Sequence, residues 1–321
     1  MKCLVTGGAG FIGSHLTRAL LQRGDSVCVI DDLSTGSRDN IQPFLGNPSY
    51  EFVEGNILDS PELERLTASS DCVFHLAAAV GVELVVHDPV RTILTNVSGS
   101  ECVLTLAAKY DKRCILASTS EVYGKSAKPA FSETDDLLIG PPTHSRWSYA
   151  CSKLLDEFLL MAYCRDRGLR GTAVRFFNTV GPGQTGRYGM VIPRFVAAAL
   201  ADEPLKVFGT GGQTRCFCHV EDVVRALLLL RDNEASVGEV FNIGSSRSIT
   251  IRELAEFIIA RTGSSSGIEV ISYDKAYANG FEDMLHRAPD CSKIAALCGW
   301  KAQIPLEKII DDVAEFERKK R

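Results

Sequence analysis

Positive charge is what this sequence has too little of. Across 321 residues, 35 Lys and Arg stand against 40 Asp and Glu, a net charge of −5, so neither a nucleic acid nor an anionic membrane is an expected partner. No apolar run approaches the ~20 residues of a membrane helix; the greasiest stretch, Val223 to Leu230, is interrupted by Arg225. No secretory leader is expected either, because a charged start runs at once into a short apolar strand and then glycines. Internal repeats and low-complexity tracts are missing, and Ser264 to Gly267 reads as a plain loop. Cysteine is not scarce, but eleven residues at irregular spacings make no disulfide framework. They are expected to be reduced thiols of a cytoplasmic protein, mostly small core residues. Cys216-Phe-Cys218-His219 has no second ligand cluster at zinc-like spacing, so packing is expected there and no metal.

The informative stretches begin at the first residues. Lys2 to Thr6 reads as a strand, followed by Gly7-Gly8-Ala9-Gly10-Phe11-Ile12-Gly13 and a periodic helix. Phe11, Ile12, Leu16, Ala19 and Leu20 are expected on that helix's buried face. Gly7, Gly10 and Gly13 let the backbone approach a pyrophosphate, and the helix N-terminus supplies amide groups and partial positive charge. A second strand, Ser26 to Ile30, ends at Asp31 and Asp32. An acid there suits ribose hydroxyls and repels a 2′-phosphate, so NAD is the expected cofactor rather than NADP. Further strands at Glu51–Glu54, Cys72–Leu76, Cys114–Ala117, Gly171–Phe177 and Glu239–Ile243 alternate with helices. That pattern predicts an α/β fold, a Rossmann-like doubly wound parallel sheet with helices on both faces. Asn56 and Ile57 are adenine-edge candidates; Leu76, Ala77 and Ala78 either let the cofactor pass close to small side chains or are simple packing. Asn96, on a helix expected over Pro89–Lys109, is a further cofactor-binding candidate.

The fifth strand runs into Ser118-Thr119-Ser120-Glu121, a polar cluster at a strand's carboxyl end, where doubly wound sheets bind ligands. Its hydroxyls can serve a substrate hydroxyl or a developing oxyanion, and Glu121 adds an acid or base. Next comes RWSYACSK, Arg146 to Lys153, with Tyr149 and Lys153 one helical turn apart on one face. A tyrosine with a pKa of ~10 is a poor base at neutral pH. A nearby ammonium favours the phenolate.

Together the GxxGxxG spacing, Asp31, the hydroxyl cluster and YxxxK resemble the extended short-chain dehydrogenases and reductases, the NAD-dependent epimerases and dehydratases of nucleotide sugars, along essentially the whole chain. The resemblance implies that Tyr149 removes the sugar 4-hydroxyl proton while hydride leaves C4 for NAD. It implies that Lys153 holds the nicotinamide ribose and that Ser118 or Thr119 completes the catalytic set. Substrate contacts fall on Ser120, Asn178, Arg187, Val191, Phe208 (near the nucleotide base) and Arg215, whose planar fork suits a diphosphate. Residues 1–178 plus 219–243 would form the NAD-binding domain, and 179–218 plus 244–321 a smaller α/β substrate-binding domain. A homodimer pairing the helices near Pro89–Lys109 and Trp147–Arg167 is also implied.

Within that family, Thr119-Ser120-Glu121 departs from the Asp-Glu pair of dTDP-glucose 4,6-dehydratases, although GDP-mannose dehydratases share it. The 4-epimerases usually carry a small or hydroxyl residue where Glu121 stands. RWSYACSK, with Gly280-Phe-Glu-Asp283 and His286-Arg287-Ala-Pro289, resembles UDP-apiose/UDP-xylose synthase and UDP-glucuronate decarboxylases, in which a Glu and an Arg at these positions flank the sugar carboxylate. The expected reaction is decarboxylation of UDP-glucuronate through a 4-keto intermediate, giving UDP-xylose or a UDP-4-keto-pentose, with Glu121 and Arg287 in the catalytic set. His75-Leu-Ala-Ala-Ala79, where decarboxylases often read HLA-Ser-Pro, and the generic loop Gly181 to Phe195 keep a UDP-glucose or UDP-glucuronate 4-epimerase as the alternative. A non-enzymatic NAD sensor is the reading from another class; intact Tyr149 and Lys153 speak against it. A dehydrogenase with net oxidation would instead accumulate NADH.

Overall fold

Strand and helix alternate along the first half of the chain: β1 (Lys2–Thr6), α1 (Phe11–Gln22), β2 (Ser26–Asp31), α2 (Arg38–Ile41), β3 (Tyr50–Glu54), α3 (Ser60–Ala68), β4 (Cys72–His75), α4 (Pro89–Lys109), β5 (Arg113–Thr119), α5 (Trp147–Arg167) and β6 (Gly171–Phe176). There follow β7 (Thr179–Val180), α6 (Val191–Leu200), β8 (Leu205–Phe208), β9 (Thr214–Cys216), β10 (Cys218–His219), α7 (Val220–Arg231) and β11 (Glu239–Ile243). The chain ends with β12 (Ser248–Thr250), α8 (Ile251–Thr262), β13 (Ile268–Ile271), α9 (Ser292–Cys298) and α10 (Leu306–Lys320). The structure is a computed structural model and describes residues 1–80, 88–186, 190–272 and 284–320.

Seven strands form one sheet in the order β11-β6-β5-β4-β1-β2-β3, with every pairing parallel. Side chains alternate between its faces. Leu4, Ile30, Val73, Cys114, Leu116 and Ala173 pack with α3, α4 and α5 on one side, while Val5, Val29, Phe74, Ile115, Val174 and Phe241 pack with α1 and α7 on the other. Coverage of both faces explains why these strands read as nearly unbroken apolar runs. The chain reverses direction across the sheet between β1 and β4. That switch opens a crevice beyond the carboxyl ends of the strands.

A second core gathers Ile192, Phe195 and Val196 of α6, Leu254 and Ile258 of α8, and Ile309, Ile310 and Val313 of α10. Ile294 and Trp300, expected in the smaller unit, pack instead into the first core. Two further expectations change. Phe11 and Ile12 are only partly buried at the head of α1, whose covered face is Gly13, Ser14, Leu16, Thr17 and Leu20. The fifth strand does not stop at Ala117 but continues through Ser118 and Thr119. The hydroxyls therefore obey strand alternation.

Candidate active site

The glycine turn is folded tightly onto its neighbours. Gly7 has φ +72°, and a Cβ there would stand 2.7 Å from the Ala77 amide nitrogen. A Cβ on Gly13 would stand 2.3 Å from the Gly7 carbonyl oxygen and 2.6 Å from Gly8 Cα. Asp31, 8% exposed, pins this turn: Oδ2 accepts from the Ala9 amide at 2.9 Å and Oδ1 from the Leu33 amide at 2.8 Å. Burial pushes its pKa up, opposed by those amide bonds. The Gly10 amide is a third donor to Asp31; a carboxylate has about four acceptor positions, which leaves room for a ribose hydroxyl. The backbone cradle and the buried acid behind it fit NAD: Gly7, Gly10 and Gly13 would hold the pyrophosphate and Asp31 a ribose. Asp32 lies in the exposed turn, accepting from the Ser34 amide at 3.0 Å and Asn56 Nδ2 at 3.3 Å.

Two cofactor candidates, Ile57 and Asn96, make framework contacts. Ile57 is buried in the core, its position matched by Gly99 of α4, where a Cβ would meet Ile57 Cδ1 at 2.4 Å. Asn96 is 1% exposed; it accepts from the Ala79 amide at 2.8 Å and donates to the Ala79 carbonyl and to Ser152 Oγ at 3.3 and 3.1 Å. It clamps the loop after β4 onto α5. In that loop Ala77 donates to Thr6 Oγ1 at 3.2 Å, which brings Leu76, Ala77 and Ala78 against the glycine turn; all three are half-buried.

Thr119 and Ser118 part company. Thr119 hydrogen-bonds the Tyr149 side chain and caps the turn Ser120–Tyr123 by accepting from the Glu121 amide at 3.2 Å. Ser118 faces the α5 side and donates to Glu157, which in turn grips Arg175 in a buried bidentate pair. The structure thus brings Thr119, and not Ser118, to Tyr149. Ser120 is buried. The Tyr149 hydroxyl is held well above its usual pKa by burial first and by the charge of Glu121 second, with the Thr119 bond and Arg287 opposing. Lys153, expected to lower it, donates to Asp156 at 2.7 Å.

Glu121 is the centre of the polar cluster. Arg287 donates to its Oε1, and Arg146 Nη2 to its Oε2 at 3.1 Å. Burial would raise its pKa, but Arg146, Arg287 and Arg215 overcome that and take it to about 2. Arg287 also donates to Asn178 Oδ1 at 2.5 Å, and Asn178 donates to the Cys216 carbonyl at 2.9 Å. Arg215 on β9 donates to the Thr214 and Met284 carbonyls, both at 2.8 Å. Through these bonds the segment bearing Arg287 is laid along β9, and Phe131 fixes its far end by donating to the Ala288 carbonyl at 2.9 Å. Arg146 is not among the residues expected in the site. Its signal was its place three residues before Tyr149, the spacing that puts two side chains on one helix face.

Phe208 lies beneath the Arg194 guanidinium, 4.9 Å from its ring centre, and Val191 opens α6 nearby, half-buried. Arg187 and the Gly280–Asp283 motif fall outside the described residues. Cys216, Phe217, Cys218 and His219 are all buried, as packing predicts. All eleven cysteines are free thiols. Among the described residues no helix is long and apolar enough to cross a membrane.

Comparison with known proteins agrees with this geometry. The chain is 41% identical over 318 residues to the UDP-N-acetyl-alpha-D-glucosaminuronate decarboxylase of Bacillus cytotoxicus, covering 99% of this chain and 98% of that protein. It is 33% identical to UDP-glucuronic acid decarboxylase 1 of Xenopus tropicalis, over 99% of this chain and 72% of that one. The crystal structure of UDP-glucuronic acid 4-epimerase from Bacillus cereus, in complex with UDP-glucuronic acid and NAD, superposes with a TM-score of 0.89 at 28% identity, covering all of both chains. The model of the NAD dependent epimerase/dehydratase family matches residues 3–244. The chain belongs to that family, and NAD is its cofactor.

Proposed function

We propose that this protein decarboxylates a UDP-linked uronic acid through a transient 4-keto sugar. The observation that carries the reading is the Arg287–Glu121–Arg146 cluster beside Tyr149: cationic forks meeting a carboxylate are what a sugar acid requires. Bound by Gly7, Gly10, Gly13 and Asp31, NAD would supply the acceptor for the C4 hydride. Tyr149, steadied by Thr119, takes the 4-hydroxyl proton, and Lys153 serves the ribose. The C4 ketone makes the C6 carboxylate a β-keto acid. The C5–C6 bond then breaks, CO2 departs, and the electron pair moves into the ketone as an enolate that is reprotonated at C5. Arg287 trades Glu121 for the substrate carboxylate. Glu121, losing one of the charges that hold it ionised, becomes able to carry the proton for C5. Asn178, Arg215 and Phe208 line the nucleotide side, with Arg187 and Val191 as further contacts.

The relatives' names support two substrates, UDP-glucuronate and its 2-acetamido counterpart. A 4-epimerase is the second reading, favoured by the close superposition on the UDP-glucuronic acid 4-epimerase. On the two-unit division expected from the sequence, the substrate would lie between the sheet's carboxyl edge and the second core. Exposed Val90, Ile93 and Leu94 on α4, with Leu155 and Phe158 on α5, support a homodimer through these helices. The free thiols support a cytoplasmic setting.

Enzyme with NAD and a panel of UDP-sugars, followed by NMR of the sugar product, tests the assignment. Loss of C6 from either uronate, abolished in Tyr149→Phe, is the expected result. A product that keeps C6 and is inverted at C4 would instead make the protein an epimerase.

A further inference from the structure

Lys153 and Asp156 stand one turn apart on α5 as a wholly buried ion pair, Nζ to Oδ2 at 2.7 Å, with side chains 2% and 0% exposed. Asp156 Oδ1 is also buried and has no hydrogen-bond partner among the described residues. A buried carboxylate with half of its acceptors unused is costly, and this one lies on the helix that carries Tyr149. The other groups facing the pair do not replace it. His75, at the end of β4, is buried, bonded to Thr6 and Ser100, and kept neutral by burial and by the Lys153 charge, at about 3. From the remaining elements, Thr119, Glu121 and Arg287 face Tyr149.

We propose that Asp156 is a positioning residue for Lys153: it grips the ammonium in the ligand-free site and withholds its charge from the Tyr149 hydroxyl until a ligand hydroxyl competes for that ammonium. The negative charge of Asp156 itself works in the same direction, holding the tyrosine in its neutral form. Tyr149 would then stay a neutral phenol, and no active base, until the site is loaded. The inference rests on Tyr149 as the base and is independent of which sugar is processed.

The test is an ultraviolet titration of tyrosinate absorbance in the full-length protein, with and without added NAD. The Tyr149 contribution is isolated by subtracting the Tyr149→Phe protein. In Asp156→Asn the Tyr149 titration should fall by about one pH unit or more without NAD, and the gap between NAD-free and NAD-loaded protein should narrow. The pH at which kcat rises should move the same way, with the KM for the sugar unchanged, and Asp156→Glu should restore the original profile. Because a lone buried ammonium could unfold the protein, Lys153→Met and Lys153→Met/Asp156→Leu complete the set. Asp156→Leu in the Lys153→Met background should move the titration far less than Asp156→Asn does alone. A titration that stays put in folded Asp156→Asn, or that shifts equally without Lys153, would overturn the proposal, even if sugar turnover proceeds as expected.

Discussion

Arg287 reaches across 166 residues of sequence to pair with Glu121, using the same guanidinium that holds the Asn178 amide oxygen. One fork thus ties the carboxyl end of β5 to the loop after β6. It is partly exposed and placed to exchange one carboxylate for another.

Arg287→Ala should therefore weaken recognition of a UDP-uronate far more than of a neutral UDP-hexose. Loss of a hydrogen-bonded charge partner costs about 2–5 kcal/mol, which corresponds to a fall in kcat/KM of roughly thirtyfold to several thousandfold. Arg287→Lys should recover little, because an ammonium cannot span Glu121 and Asn178 as a planar fork does. Steady-state kinetics on the uronate, with calorimetric binding of the neutral sugar, checks both statements.

Ser118 and Thr119 should separate cleanly. Ser118→Ala removes a donor from the buried Glu157–Arg175 pair and should lower stability by about 1–3 kcal/mol while leaving kcat nearly intact. Thr119→Ala should lower kcat about a hundredfold with little change in melting temperature. The reverse pattern in paired kinetic and melting data would hand the catalytic hydroxyl to Ser118.

For Asp31→Asn, the Ala9 and Leu33 amides lose one of their two carboxylate acceptors, and an amide group is turned toward an N–H. NAD affinity should fall tenfold or more, for a cost of about 1–3 kcal/mol. Preference over NADP should narrow because the charge that repels a 2′-phosphate is gone. Calorimetric titration with both cofactors measures this.

Glu121 fixes the sign of one pH effect. Its folded pKa, about 2, lies below the ordinary 4.5. Its contribution to stability is thus fully present above 4.5 and is lost as pH falls toward about 2. Glu121→Gln should be less stable than the parent near neutrality and should lose less stability between about pH 5 and pH 3, as read from urea midpoints.

Much of this site was legible because its logic is local. The glycine turn, the acid ending β2 and the Tyr149–Lys153 spacing each depend on neighbours in sequence, and all sit where pattern and period place them. The same strand alternation sets Ser118 apart from Thr119. It shares parity with Cys114 and Leu116, which face α5, because the strand runs on to Thr119. Asn96 and Ile57 were harder. Each reads as a ligand contact until its partners, Ala79 and Gly99, are known.

The sequence by itself determined the doubly wound sheet, the glycine turn at the head of α1 and the one-turn spacing of Tyr149 and Lys153, since hydrophobic period and backbone sterics act over a few residues. Only the tertiary structure decided how the charges are shared. Glu121 is ionised because Arg146, Arg215 and Arg287 converge on it from three separate segments. Lys153 is engaged because Asp156 is buried with it. Coulomb attraction and desolvation depend on distance in space and on the water excluded between groups, and neither quantity exists until the chain has folded.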